Sequence, residues 1–164
     1  MFAVTVNANI KEKRTKVLGI AIVAILVLFV AFLFLSMRVG TPPESVEIDG
    51  HGEINTVVES DEEAKEFAKQ FSYEIGDLYS LQEMYVPIEF NDKYIGYNEL
   101  QKEQGFDLEP YKGEKCKLYI YELKGYELDG LPAYMSVIVY RERVIGGHVS
   151  SLKDGGEYHT FFID

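Results

Sequence analysis

Residues 115–121 read KCKLYIY and residues 133–140 read AYMSVIVY, and these two stretches decide the fold. In the first stretch, Cys116, Leu118 and Ile120 alternate with side chains of the opposite face, which is the two-residue period of a β-strand. The second stretch is rich in β-branched residues, and Met135 and Val137 share one of its faces. Both patterns predict strands with an apolar face.

The sequence that follows these strands predicts further antiparallel strands. Residues 141–143 form a tight turn into a strand over Val144 to Leu152, and Asp154-Gly155-Gly156 forms the next turn, into Tyr158 to Ile163. Successive strands joined by short turns predict an antiparallel β-meander. Its apolar face must be covered, and two helices encoded earlier in the chain can cover it. The predicted fold class is therefore α+β.

The first of these helices begins near Ser60. Residues 60–63 read SDEE, a capping box in which a hydroxyl N-cap is followed by Glu at the third helical position. An apolar stripe at helical spacing follows, formed by Ala64, Phe67, Ala68 and Phe71. After this helix, Glu83 to Val86 is predicted as a strand that ends at Pro87.

The second helix is predicted from Asn91 or Asp92 to Gln104. Gly105 lies where a left-handed C-cap belongs, directly after the last helical residue. The candidates for the inner face of this helix are Tyr94, Tyr97 and either Leu100 or Gln101.

An uncharged apolar segment precedes the domain. Val17 to Met37 comprises 21 residues without a charge, and as a helix it spans about 31 Å, close to the thickness of a bilayer core. Four basic residues precede it within residues 11–16, whereas Arg38 alone follows before an acidic stretch. The positive-inside rule then predicts a transmembrane helix with its N-terminus in the cytoplasm. A cleaved signal peptide is the alternative, although its apolar run is normally shorter and ends in small residues.

These features divide the chain into four parts. Residues 1–16 are predicted to be a cytoplasmic basic tail, residues 17–37 a transmembrane helix, residues 38–58 an acidic tether punctuated by Pro and Gly, and residues 59–164 an extracytoplasmic α+β domain. The lipid bilayer is thus an expected partner, through Val17 to Met37. The expected location is a bacterial cytoplasmic membrane, crossed once.

Charge and cysteine content exclude several classes of protein. The chain carries 16 Lys and Arg against 27 Asp and Glu, a net charge of −11, which argues against nucleic-acid binding because that requires a basic surface. The single cysteine excludes an intramolecular disulfide framework and a cysteine zinc cluster.

Three segments are distinctive: YNELQKEQGFDL over residues 97–108, YKG over residues 111–113 and VIGG over residues 144–147. Through them the chain resembles an uncharacterised bacterial family, domain of unknown function 4830, over about Asp61 to Ile163. The resemblance implies a basic N-terminus, one apolar anchor and an α+β module of roughly a hundred residues. It implies no known activity.

Asn98, Gln101 and Gln104 are candidate binding residues. An amide offers donors and an acceptor without a charge to desolvate, so these side chains suit recognition of a peptide or another polar ligand. They suit equally well the bonding of backbone groups where the helix meets the loop that follows it. Both interpretations stay open at this point, and the backbone-bonding interpretation is the one we favour.

Tyr119 and Tyr121 are the second group of candidate binding residues, and Tyr134 and Tyr140 also lie at strand positions. Exposed tyrosines favour protein contacts because they bury a large area at a low cost in side-chain entropy. The alternative is aromatic packing across strands beneath a helix.

Residues with catalytic or metal-binding chemistry do not combine into a recognised site. His148 and His159 flank the last turn and lack a third ligand, and Cys116 alternates with apolar residues, which predicts a buried thiol. Ser150 lies near His148 in a sequence without a G-x-S-x-G elbow. We therefore expect no metal, no cofactor and no enzymatic activity.

The resulting expectation is a single-pass, membrane-anchored binding module outside the cytoplasm, with another protein or a peptide as its partner. Two alternatives are an envelope-associated hydrolase that uses Ser150 and His148, and a domain that is secreted after signal cleavage.

Overall fold

The computed structural model describes residues 17–32 and 40–162. The chain forms two units that divide after Gly40. In the first unit, residues 17–32 are helical (α1). The predicted basic tail at residues 1–16, the end of the predicted transmembrane segment at residues 33–37 and the first two residues of the predicted tether lie outside the described residues.

Within the described parts of the chain, no helix combines the length and the apolar character needed to cross a membrane.

The second unit is built on an antiparallel sheet of five strands in the order β3-β4-β5-β6-β7. The strands are Ile75–Tyr85 (β3), Lys115–Leu128 (β4), Leu131–Tyr140 (β5), Arg143–Ser150 (β6) and Tyr158–His159 (β7). Since each strand pairs with its neighbour in sequence, the sheet is a meander, as predicted, and the fold is α+β. The predicted tight turn between β5 and β6 is also present, with positive φ at Arg141 and Glu142.

A hairpin of two further strands, Ser45–Ile48 (β1) and Gly52–Asn55 (β2), precedes the sheet. The sequence predicts an acidic tether over residues 38–58, whereas in the structure the residues from Thr41 onward belong to the same unit as the sheet. Ile48 and Ile54 are buried in the same cluster as the first helix of the domain. The Pro, Gly and acidic residues around them supply the turns and the exposed positions, while the alternate isoleucines supply the buried face.

The first helix of the domain is α2, over Asp61–Ala68. The predicted capping box is present: Ser60 Oγ accepts from the Glu63 backbone N–H at 3.3 Å, and Glu63 Oε2 accepts from the Ser60 backbone N–H at 3.2 Å. The helix ends at Ala68, earlier than the apolar stripe suggests, yet Phe71 beyond it is buried in the same core.

The second helix of the domain is α3, over Asp92–Glu103, with Asn91 as N-cap. Its predicted start is confirmed, and it ends at Glu103, one residue before the predicted end, with Gln104 as C-cap and Gly105 following at a φ of +83°. Of the two alternatives for its inner face, Gln101 is fully buried and Leu100 is partly exposed. A short 3-10 helix, Glu109–Tyr111, follows α3.

The two helices cover opposite faces of the sheet. Alternate residues of β5 belong to different cores: Met135 and Val137 join the core of α2, whereas Ile138 and Tyr140 join the core next to α3 and the 3-10 helix. The sequence pattern indicated one apolar face per strand. In the structure β5 is central and apolar on both faces, because its buried run contains few polar residues.

Candidate functional site

The predicted amide residues Gln101 and Gln104 connect α3 to the sheet. Gln101 Oε1 accepts from the Gly147 backbone N–H at 2.7 Å. Gln104 Nε2 donates to the Gly147 carbonyl and to Gln101 Oε1, both at 2.8 Å, and Gln104 Oε1 accepts from the Phe161 backbone N–H at 2.9 Å. Both side chains are fully buried. The two glutamines therefore hold the helix, β6 and the segment after β7 together.

Asn98 forms hydrogen bonds with the loop that follows α3. Its Oδ1 accepts from the Leu108 backbone N–H at 2.7 Å, and its Nδ2 donates to Asp107 Oδ1 at 2.9 Å. These contacts support the interpretation that the amides bond groups of the domain itself. Within the described residues, Gln101 Nε2 is the amide nitrogen of this group that is buried without a partner. Ligand binding by the three amides stays a prediction.

Two glycines that are not among the predicted site residues, Gly146 and Gly147, allow close packing around the glutamine contacts. A Cβ at Gly147 would lie 2.1 Å from the Ser136 carbonyl oxygen and 2.4 Å from the Phe161 ring, and a Cβ at Gly146 would lie 2.5 Å from Gln101 Oε1. A side chain at Gly146 would displace Gln101 of α3, and one at Gly147 would collide with β5 and with Phe161. The signal in the sequence is a Gly-Gly pair inside a strand, which marks a close approach of other groups.

Tyr119 and Tyr121 lie in the core beneath the start of α2. They are 1% and 2% exposed, and their hydroxyls donate to Asp61 Oδ1 and to the Asp61 carbonyl, each at 3.1 Å. Burial, followed by the hydrogen bond to Asp61, raises the pKa of Tyr119 to about 12. The two tyrosines thus fix the first turn of α2. Binding of a partner through them stays a prediction, and it would require α2 to move.

The two strand histidines lie on opposite faces of the sheet. His159 pairs with Val149, so His148 is one residue out of register with it. His148 Nδ1 lies 2.9 Å from the Tyr97 hydroxyl, whereas His159 Nε2 lies 3.2 Å from the Tyr126 hydroxyl. Burial, and to a lesser extent the charge of His159, lowers the pKa of His148 to about 4.

Cys116 is buried, as its alternation with apolar residues predicts. Burial, followed by the nearby Glu114 charge, raises the pKa of its thiol to about 11, which lowers its reactivity at neutral pH. Ser150 shares the face of His148 on β6, but the hydrogen-bonding partner of His148 on that face is Tyr97.

The largest unpaired backbone surface among the described residues is the outer edge of β3, the 11-residue strand at one end of the sheet. The strand is much longer than the Glu83 to Val86 segment that the sequence predicted. On its inner side β3 pairs with β4. Val86 follows the last residue of β3, and its backbone N–H donates to the Glu114 carbonyl while its carbonyl accepts from the Gly113 N–H. No described strand pairs with its outer side.

The alternation of antiparallel pairing shows which backbone groups face outward. Since Val86 directs both its groups toward the β4 side, every second residue before it does the same. The residues between them, Leu81, Glu83 and Tyr85, therefore direct their backbone N–H and C=O groups away from the sheet. Each of these three residues presents one donor and one acceptor at the edge.

The side chains along this edge are unusually apolar for a solvent-exposed strand. Leu78, Leu81 and Tyr85 are 40%, 44% and 64% exposed, and pairing with β4 places Leu78 and Leu81 on the face of the sheet that α2 covers farther in. Tyr79 is 62% exposed, and its ring contacts that of Tyr134 at 4.8 Å. An exposed apolar edge strand is the usual attachment point for another chain.

The fold and this edge define an α+β domain with a free strand at one side of its sheet. The sequence profile of the family described as Domain of unknown function (DUF4830) matches residues 67–149, just over half of the chain. The chain belongs to this family, which confirms the resemblance seen in the sequence. The match runs from within α2 to the end of β6 and includes the whole of β3. No curated protein and no solved structure matches the chain significantly.

Proposed function

We propose that the domain is a non-catalytic interaction module that binds another protein outside the cytoplasm. In this proposal Val17 to Met37 anchors the chain in a bacterial cytoplasmic membrane, with the basic N-terminus inside and the α+β domain outside. The support for the anchor comes from the sequence: 21 uncharged residues with basic residues concentrated on the N-terminal side.

The observation that carries the binding function is the free edge of β3. A strand with exposed Leu78, Leu81 and Tyr85 and an unpaired outer backbone is a liability in a domain that has no partner, because it invites aggregation. β3 contains no lysine or proline. Its protective features are Asp77, Glu83 and the register shifts before Ser80, and they leave the stretch from Leu81 to Tyr85 regular and without a strand on its outer side. An exposed apolar strand edge is expected in a domain whose partner covers it.

Site-specific photocrosslinking in intact cells tests this proposal. A benzophenone side chain in place of Tyr85 samples the β3 edge, and the same group in place of Ile95, which is 49% exposed on α3, is the matched control. We expect a discrete adduct from position 85 that is absent from position 95. Equal labelling of many proteins from both positions, or none from position 85, would refute a partner at this edge.

A further inference from the structure

We infer that the partner contributes an extended segment that adds to the sheet beside β3 as a sixth strand, and that this segment carries both apolar and basic residues. This inference rests on the proposed function, since it specifies the partner of the same edge.

The backbone geometry favours an extended segment. Leu81, Glu83 and Tyr85 present three donors and three acceptors in a line, at the spacing of a strand. A helix satisfies its own backbone groups and leaves these six groups without partners. An added strand pairs with them directly, which is the mode of recognition known as β-augmentation.

The side chains beside that edge indicate which residues of the added strand are apolar and which are basic. On the face shared with Tyr119, β3 presents Leu78, Leu81, Glu83 and Tyr85, so an added strand gains from apolar residues beside the leucines and Tyr85 and from a basic residue beside Glu83. On the other face β3 presents Ser80, Gln82 and the half-buried Met84, and the side chains of Ser80 and Gln82 bond each other at 3.0 Å. Residues of the added strand on that face meet uncharged groups of β3.

The charge of the edge indicates basic residues in the partner. Residues 74–92 carry five acidic side chains and no Lys or Arg. Two of the five are paired with lysines of the sheet, Glu83 with Lys115 at 2.7 Å and Glu74 with Lys124 at 3.6 Å. The other three, Asp77, Glu89 and Asp92, form no ion pair among the described residues. Charge complementarity therefore favours a basic segment.

The same charge argues against a second copy of the chain as the occupant. Pairing of two β3 edges would bring two acid-only segments together, and like charges on neighbouring strands are destabilising. Self-association through β3 is accordingly the competing outcome that an experiment must detect.

Blocked synthetic peptides provide the probes, and their binding to the full chain in detergent is measured by fluorescence anisotropy. The first is a ten-residue peptide of alternating valine and lysine, and the second replaces each lysine with glutamate. We expect the lysine peptide to bind at least about tenfold more tightly. Two further versions of the lysine peptide carry N-methyl groups on alternate residues, so that each removes the donors from one edge. We expect the version that lacks the donors facing β3 to lose binding. Since side chains and charge are the same in both versions, a difference between them reports backbone hydrogen bonds alone.

Substitutions in the chain locate the binding. Glu83→Lys reverses one charge on the edge, and Glu99→Lys is its matched control, since Glu99 is also an exposed partner of a lysine, Lys102 at 2.9 Å, but lies on α3. Leu81→Pro removes an outward N–H that the β3–β4 ladder does not use. We expect Glu83→Lys and Leu81→Pro each to weaken the lysine peptide about tenfold and Glu99→Lys to leave it unchanged. Circular dichroism verifies that each variant is folded.

Three results would overturn the inference: equal binding of the two charge types, full binding of both N-methylated peptides, or a chain that dimerises in sedimentation through an interface that Leu81→Pro abolishes. A photocrosslinked partner at position 85 without peptide binding would refute strand addition and leave the proposed function intact. Peptide binding without any crosslinked partner would count against the proposed function alone.

Discussion

We expect the stability of the domain to depend on pH through the buried imidazole of His148. Its imidazole lies between α3 and β7, with Nδ1 2.9 Å from the Tyr97 hydroxyl and the Tyr158 ring at 5.9 Å. Burial, and then the charge of His159, lowers its pKa from 6.5 to about 4. The neutral ring can accept the Tyr97 O–H at Nδ1, whereas the protonated ring cannot.

The size of the contribution of His148 to the free energy of unfolding follows from its pKa values in the folded and unfolded states. In the unfolded chain the histidine titrates near 6.5, so between pH 6.5 and pH 4 the unfolded state binds more protons than the folded state. The stability contributed by the depressed pKa is therefore fully present above pH 6.5 and is lost as the pH falls toward 4. At about 1.4 kcal/mol per pH unit, the difference of roughly 2.5 units corresponds to about 3 kcal/mol.

His148→Gln isolates this contribution. Glutamine retains an acceptor for the Tyr97 hydroxyl and does not titrate in this range. Urea denaturation at pH 7 and pH 4 gives the free energy of unfolding of both proteins. Many carboxylates also titrate between these values, and they contribute equally to both. We expect the native chain to lose about 3 kcal/mol more than the variant.

His51→Gln is the control, because His51 is exposed and stacks on Phe162 at the edge of the β1–β2 hairpin. This variant should follow the pH dependence of the native chain. If His148→Gln and the native chain lose the same free energy between pH 7 and pH 4, the reasoning from burial is refuted.

Three further predictions concern packing, hydrogen bonding and topology. Gly147→Ala places a methyl group 2.1 Å from a carbonyl oxygen of β5, and it should lower the free energy of unfolding by at least about 2 kcal/mol in urea denaturation; an unchanged value would contradict the close approach. Gln104→Leu leaves a buried backbone donor and acceptor unpaired, and it should cost about 2–5 kcal/mol in the same assay, whereas a cost below 1 kcal/mol would show that water replaces the amide. The native Cys116 is buried and should not react with a membrane-impermeant maleimide. In the proposed orientation this reagent should label intact cells that carry Glu127→Cys, which lies in the domain, but not cells that carry Asn7→Cys, which lies in the basic tail. The reverse pattern would contradict that orientation.

Much of the fold could be predicted because its signals are local. The capping box at Ser60–Glu63 and the Asn91 and Gly105 boundaries of α3 depend on a few neighbouring residues, and the structure contains them as expected. The β4–β5–β6 order was predictable for the same reason, since alternation and tight turns determine which strands are neighbours.

The features that were missed depend on tertiary contacts. β3 has two shifts of register, near Leu78 and Ser80, so its sequence does not alternate regularly and only its last residues were recognised. The sequence of the β1–β2 hairpin predicts a tether because its turns and charges resemble those of a linker. The burial of Ile48 and Ile54 depends on the assembled core.

The candidate amides show how much of a site can be predicted from the sequence. Their helical spacing was evident, but the choice between ligand binding and structural bonding depended on Gly147, which is 43 residues from Gln104 in the chain. A buried polar helix face is stable only if each group finds a partner, and nothing local to α3 specifies those partners.

The arrangement of the sheet separates the part that holds the domain together from the part available for binding. At the β6 end, both glutamines of α3 and the segment after β7 fix the helix to the strand by directional hydrogen bonds. At the opposite end, β3 is attached to the sheet through β4 alone, and its outer backbone groups are free. The polar contacts of the amides are thus best understood as support for the scaffold. In the proposed function recognition lies at the opposite edge, where unpaired backbone groups coincide with exposed apolar side chains and with Asp77, which forms no ion pair among the described residues.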